Sequence, residues 1–475
     1  MLTTDFIGQL MQVVDPSGVL TDGTEMLGYT RDWRGKFDSG ALAVVRPSST
    51  EEVSAVVKIC QQHGVAITPQ GGNTGLVGGS VPCDPGKEIV LSLDRMDKIE
   101  DIDINGNTML VQAGAILTNV QEAAAGVDRL FPLSLGAEGS CRIGGNISSN
   151  AGGIQVIKYG NTRDLVLGLE VVLADGRVWN GLNRLRKDNT GYDLKQIFIG
   201  AEGTLGIITR AVVKLFPRPK DRLTAWLACN SPQEGLDALN HMRARLGEAI
   251  MAGELIPEIA LDQTLRQIPA TRAPLQPSPA WSVLVEVGVF DEAGSVRDTM
   301  QYALETALSE GLIYDGVIAQ NYEQAAEFWH IRESIPEAER LSGPSIKHDV
   351  SVPVHLVPEL IERGFALLEE LYPGSRPVPF GHLGDGNLHF NLCAPRDAVG
   401  DEEAEADFKA AWDRINESFH DLVTELGGSI SAEHGIGQLK KQELARTADP
   451  VGLDLMRAIK RALDPDNRIN QGKII

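Results

Sequence analysis

No apolar run in this 475-residue sequence is long enough to cross a bilayer, which takes about 20 helical residues. The N-terminus, Met1-Leu-Thr-Thr-Asp-Phe6, has neither a basic start nor an apolar core, so no secretory signal is expected. The five cysteines (60, 83, 141, 229 and 393) are scattered, odd in number and without CxxC spacing. That pattern fits a reduced, cytoplasmic protein better than a disulfide framework. Positive charge is also short, and the formal net charge is −22. Nucleic acid and anionic membrane surfaces both reward a basic face, so neither is expected as a partner. The Gly-Lys-Ser/Thr ending of a P-loop is missing, and so is a GxGxxG dinucleotide fingerprint, which argues against NAD. No internal repeat is found.

What is present centres on Gly381-His-Leu-Gly-Asp-Gly-Asn-Leu-His-Phe-Asn391. Its Gly384–Asn387 core predicts a turn. If the chain reverses through residues 384 to 387, Leu383 faces Leu388 and His382 faces His389. Directly opposed residues hold their Cβ atoms about 5 Å apart, so both imidazoles could reach one metal ion. Ser431-Ala-Glu-His-Gly-Ile-Gly437 offers Glu433 as a third ligand, with His434 beside it. Two His, one Glu and an open position suit a catalytic zinc site. The same set is the facial triad of a nonheme Fe(II) oxygenase, and a non-catalytic protein with a structural metal is a third reading.

A chain of this length implies two or more domains. Ala41–Arg46 reads as a strand, Ser49-Thr-Glu-Glu52 as a capping box opening a helix over 53–63, Gly64 as its stop, and Val65–Thr68 as a second strand. Three glycine-rich stretches follow: Pro69–Gly79, Gly136–Gly153, and Asp188–Lys195 with Gly200–Ile208. Glycine at this density suits a backbone that approaches a ligand closely. Gly168–Ala174 and Ile207–Phe216 read as strands, with Asp175-Gly176 as a turn. Pro217-Arg-Pro219 reads as a hinge. Beyond it, strand 224–229, helix 232–246, strand 281–290 and helix 292–310 predict a split-βαβ sheet. The acidic run Asp401–Asp407 reads as a solvated helix start, favoured by the helix dipole.

Residues 40 to 219 resemble the FAD-binding domain of the vanillyl-alcohol oxidase / p-cresol methylhydroxylase superfamily. The resemblance rests on the Pro69–Gly79 loop, on Ile143–Ile147 with Asn150–Gly153, and on Gly200–Gly206. It implies an α+β fold: a two-subdomain FAD domain over 1–219, and a substrate domain over 220–430 with an antiparallel sheet and the metal hairpin. The helical C-terminal region ends in a segment over 431–475 that packs back on the FAD domain. It also implies cofactor contacts from Pro69, Gly71, Gly72, Asn73, Thr74, Gly75, Gly78 and Gly79. The second loop adds Gly136, Gly139, Ser140, Gly144, Gly145, Asn146, Asn150 and Gly153, and the third adds Glu202, Gly203, Gly206 and Ile207. Some members attach flavin covalently through a His in the first loop. Here Gln70, Gly71, Gly72 and Asn73 stand there, so noncovalent FAD is expected.

The order Arg332, Lys347, Gly381–Asn391 and Ser431–Gly435 resembles the FAD-linked D-2-hydroxy-acid dehydrogenases of that superfamily, above all those acting on D-2-hydroxyglutarate. The resemblance covers nearly the whole chain. It implies His382, His389 and Glu433 as ligands of a divalent metal, for which the ligand set points to zinc, and Arg332, Lys347, Asn391 and His434 around the substrate. It further implies His434 as the base that takes the hydroxyl proton, Arg332 as a carboxylate clamp, and an electron-transfer flavoprotein as acceptor. D-Lactate, D-malate and glycolate are the alternative substrates within the family, and a homodimer is compatible with it. Two departures stand out: Pro336 where Thr is usual in the D-2-hydroxyglutarate enzymes, and Gln471 where Pro is usual.

Overall fold

The computed structural model describes residues 2–290 and 294–475. The chain divides into two compact units. The first comprises Met1–Gly152, Gly160–Arg218 and Glu433–Ile475, and the second Gly153–Tyr159 and Pro219–Ala432.

The first unit carries two sheets. In one, Val44–Val45 and Ala66–Gln70 both run parallel to Glu88–Ser92, and Val19–Leu20 adds an antiparallel edge. Helix Thr50–His63 makes the crossover between the outer parallel strands. Ser49 caps it by accepting from the Glu52 N–H, and Gly64 ends it in the left-handed region at φ 69°. The crossover delivers the first glycine-rich loop to the carboxyl end of Ala66–Gln70. The other sheet is antiparallel, in the order Ile99–Asp103, Thr108–Gln112, Ile207–Lys214, Val166–Val172, Val178–Gly181. Its strand Val166–Val172 is buried at every position, as a strand covered on both faces should be.

The return segment from Glu433 is bound into this unit by polar contacts. Ile469 bridges to Ile67, and the Lys460 ammonium donates to the Thr204 and Ile469 carbonyls at 2.7 and 2.8 Å.

The second unit contains the split-βαβ arrangement the sequence predicts. Asp315–Ile318, Asp221–Cys229, Trp281–Val289 and Ile250–Pro257 lie side by side, all antiparallel. Helices Pro232–Leu246 and Gly294–Ser309 connect them. The expected start of the second helix at Glu292 lies outside the described residues. The sheet then continues through Arg376–His382 and Asn387–Cys393, so the histidine hairpin extends the fold's main sheet. Leu255, Val283, Val285 and Leu388 are among the residues of its principal core. Among the described residues, no helix is long and apolar enough to cross a membrane.

Candidate active site

In the first unit an open cleft with about 880 Å³ of empty space, part of it open to solvent, is lined by parts of all three glycine-rich stretches and by His434. Pro69, Gly71, Gly72, Asn73, Thr74, Gly75, Gly79, Gly144, Gly145, Asn146, Glu202, Gly203, Gly206 and Ile207 reach it. Gly136–Gly153 is no simple loop, because Ile143–Ser149 is helical within it. Its glycines divide by what surrounds them. A Cβ on Gly144 would meet Ala113 Cβ at 2.7 Å, so that glycine permits close packing. A Cβ on Gly145 or Gly75 meets nothing within 4 Å and would stand in the open cleft. Bare backbone facing empty volume is the cradle a large planar cofactor needs, and the residues present fit FAD.

Six expected cofactor residues, Gly78, Gly136, Gly139, Ser140, Asn150 and Gly153, are outside the lining. Gly78 offers its carbonyl to the Gln438 side chain at 2.8 Å. Asn150 ends the Ile143–Ser149 helix at φ 51° and accepts from the Arg163 N–H. Gly153 begins the short segment that belongs to the second unit. Arg142 and Ser149 line the cleft although the sequence motifs do not single them out. Gln70 donates to the Tyr29 and Ser80 carbonyls, both at 2.8 Å.

Glu202 reaches the cleft, but its carboxylate serves the protein. It accepts from the Ile436 and Gly437 N–H groups at 2.7 and 2.8 Å. Burial pushes its pKa up, against the lowering effect of those two donors. Two bonds to the residues just after His434 fix where that imidazole enters the cleft.

The second unit holds the hairpin and the basic residues. The hairpin reverses one residue earlier than its glycines suggest, through Leu383–Gly386, which shifts the cross-strand pairing by two. His382 therefore pairs with Asn387, and His389 with Phe380. Leu383 is drawn into the core within the turn, and the His382 carbonyl accepts from the Asp385 and Gly386 N–H groups. A shift of two leaves each side chain on its face. His382 and His389 are thus diagonal neighbours, with ring centroids 5.8 Å apart.

Two buried carboxylates that the sequence reading passes over organise this cluster. Glu254 bonds His382 Nδ1 through one oxygen at 2.7 Å, and its other oxygen accepts from Arg332 Nε at 2.7 Å. Burial raises its pKa, but His382 and Arg332, both bonded to it, outweigh this and hold the carboxyl well below its usual range. Glu339 accepts from Asn391 Nδ2 at 2.8 Å and lies 3.5 Å from Lys347 Nζ. The Asn391 carbonyl oxygen takes the His348 N–H at 3.2 Å, so both ends of that amide are engaged. Asp349 stands 3.9 Å from His389. The available signal for Glu254 is an acid inside the apolar run Ile250–Pro257.

Arg332 and Glu339 are seven apart on helix Tyr322–Leu341 and so share one face. Pro336 lies between them. Without an N–H it cannot bond the Arg332 carbonyl four residues back.

Paired imidazoles, one with Nδ1 held by a carboxylate, match the donor chemistry of a metal site. The second unit contributes His382 and His389 to the expected ligand set, and Glu433 opens the first unit's return segment.

Two family models match the chain: an FAD binding domain over residues 41–181, and the C-terminal domain of FAD linked oxidases over 218–474. The chain is 39% identical over 473 residues to a D-2-hydroxyglutarate dehydrogenase of Xanthomonas citri pv. viticola, covering 100% of this chain and 97% of that protein. The chain belongs to this family. It is an FAD-dependent oxidoreductase, which decides against the nonheme iron oxygenase. A probable mitochondrial D-2-hydroxyglutarate dehydrogenase of Oryza sativa subsp. japonica is 37% identical over 476 residues, covering 100% of this chain and 82% of that protein. The fold is shared with a solved p-cresol methylhydroxylase with substrate bound, at a TM-score of 0.76 and 18% identity, covering 100% of this chain and 96% of the other.

Proposed function

We propose that this enzyme oxidises D-2-hydroxyglutarate to 2-oxoglutarate, with noncovalent FAD in the first unit's cleft and Zn²⁺ on His382, His389 and Glu433. The observation that carries the substrate reading is the pair of cations, Arg332 and Lys347, each set against its own buried carboxylate in a chain of net charge −22. A dicarboxylate needs two such cations.

When bound, FAD supplies the two-electron acceptor at N5 and the metal supplies a Lewis acid for the substrate oxygens. The protein does the rest. With Nε and Nη2 on Glu254, Arg332 has its Nη1/Nη2 edge for the C1 carboxylate, a fork that suits bidentate binding. Lys347 takes the distal carboxylate, and Asn391 holds the wall beside it through Glu339. His434 accepts the hydroxyl proton on an imidazole nitrogen, whose neutral form suits a base near pH 7. Cα gives up its hydrogen with both electrons as the C2 carbonyl forms.

The first loop has no His, and Gln70 is spent on two backbone carbonyls, which supports noncovalent flavin. Acid precipitation should release the flavin to the supernatant. Electrons then pass to a protein carrier such as an electron-transfer flavoprotein, with neither NAD nor O₂ turning over efficiently. The deciding experiment is anaerobic flavin reduction across D- and L-2-hydroxy acids. D-2-Hydroxyglutarate should bleach the flavin fastest, and preference for D-lactate or an L-acid would overturn the assignment.

A further inference from the structure

We infer that Glu254 is a positioning residue that sets the tautomer of His382 and the presented edge of Arg332 together. The inference rests on the proposed metal and substrate roles of those two side chains.

Glu254 sits on Ile250–Pro257, a strand buried at all 8 positions. It is the direct ladder partner of His382, so the sheet itself aligns the two side chains. An ordinary sheet interior would place an apolar residue here, because a lone buried carboxylate is costly. This one is matched oxygen by oxygen: Oε1 to His382 Nδ1, Oε2 to Arg332 Nε and Nη2, all at 2.7 Å.

The chemistry of the pair dictates the tautomer. An ionised carboxylate only accepts hydrogen bonds, so His382 must carry its proton on Nδ1. In the neutral ring Nε2 then holds the lone pair, the form a divalent metal requires. The same carboxylate occupies the Nε/Nη2 edge of Arg332, which directs the other edge of the fork to a substrate carboxylate. A single anion thereby orients one metal ligand and one substrate ligand.

Glu254→Gln tests this at nearly constant volume. A carboxamide has one acceptor and one donor group. The guanidinium claims the acceptor, so the NH₂ faces His382 Nδ1 and drives the proton to Nε2. Zn²⁺ affinity of the FAD-loaded protein, measured by chelator competition, should fall roughly tenfold to hundredfold. Glu254→Asp keeps two acceptors and should recover part of the loss. Flavin content, which belongs to the first unit's cleft, should be unchanged. Wild-type Zn²⁺ affinity in Glu254→Gln overturns the inference and leaves the metal reading intact. A wild type that binds no stoichiometric Zn²⁺ overturns the metal reading itself, and with it the inference.

A second measurement needs no altered sheet. Metal-free wild type labelled with ¹⁵N-histidine, with His382 assigned by difference against His382→Gln, should show the Nδ1–H tautomer. An Nε2–H tautomer there refutes the inference even if Glu254→Gln does not fold.

Discussion

Asn391 Nδ2 donates to the buried Glu339 carboxylate at 2.8 Å, and the same oxygen lies 3.5 Å from Lys347 Nζ. That arrangement fits Asn391 as a strut and Lys347 as the proposed reader of a distal carboxylate, since the Lys347 side chain keeps 31% of its surface exposed while Glu339 keeps none. A charged contact to a distal carboxylate contributes roughly 1.5–3 kcal/mol, about a tenfold to hundredfold preference for diacids. Lys347→Met should therefore lower kcat/KM for D-2-hydroxyglutarate and D-malate by that factor while sparing D-lactate. Equal losses on all three would show that Lys347 does not read the second carboxylate.

The open space beside Gly145 gives a separate test of the cleft. A Cβ at this position meets nothing within 4 Å outside its own stretch of chain, so the fold should tolerate a small side chain. The volume it fills is the cofactor's. Gly145→Val should retain wild-type circular dichroism yet bind FAD at least about tenfold more weakly, a loss of about 1.4 kcal/mol. Full flavin occupancy after purification would place the cofactor elsewhere.

Local rules carried the helices: Ser49 and Gly64 mark the ends of Thr50–His63, and Asp401 caps Glu402–Ala410. They also carried the facing of the two hairpin histidines, because a period of two survives an even slip. Register was not legible, since the glycines mark a turn but the burial of Leu383 decides where it closes. Glu254 and Glu339 were not legible for a different reason. Glu254 meets its partners 78 and 128 residues away, and nothing in its local pattern names them. Nor could sequence separate glycines like Gly144, needed for packing, from those like Gly145, which leave room.

The hairpin turn carries a pH signature. Burial pushes the Asp385 carboxyl up to about 6, against the lowering influence of His382 and the Asn387 N–H. A raised carboxyl means the folded protein holds the proton more tightly than the unfolded chain. Its contribution to stability is complete below the ordinary value of 3.8 and is lost as pH rises through about 6. The full difference is about 3 kcal/mol in metal-free protein. Asp385→Asn stays neutral and keeps an acceptor for the Asn387 N–H, so it should remove this slope. Denaturation midpoints at pH 5 and pH 8 after chelation should diverge for wild type by more than for the variant. Parallel shifts would show that Asp385 ionises normally.

The return segment that brings His434 to the cleft is tied down at Lys460. Lys460 is buried, and its ammonium donates to three oxygens: the Thr204 and Ile469 carbonyls and Asp464 Oδ2, the last at 2.6 Å. Burial lowers its pKa, opposed by the bond and charge of Asp464. Asp464 in turn accepts from the Arg468 and Ile469 N–H groups, which shapes the turn before Asn470. Removing one partner of a buried pair strands the other charge, at a cost of about 3–5 kcal/mol. Lys460→Met should therefore lower the denaturation midpoint sharply and release FAD, because Thr204 follows Gly203 of the cleft lining. The carboxylate left behind is the main penalty, so Lys460→Met combined with Asp464→Asn should recover a large part of the stability. If the double variant is no better than the single one, the ammonium's bonds to the two carbonyls, and not the stranded charge, hold the segment in place.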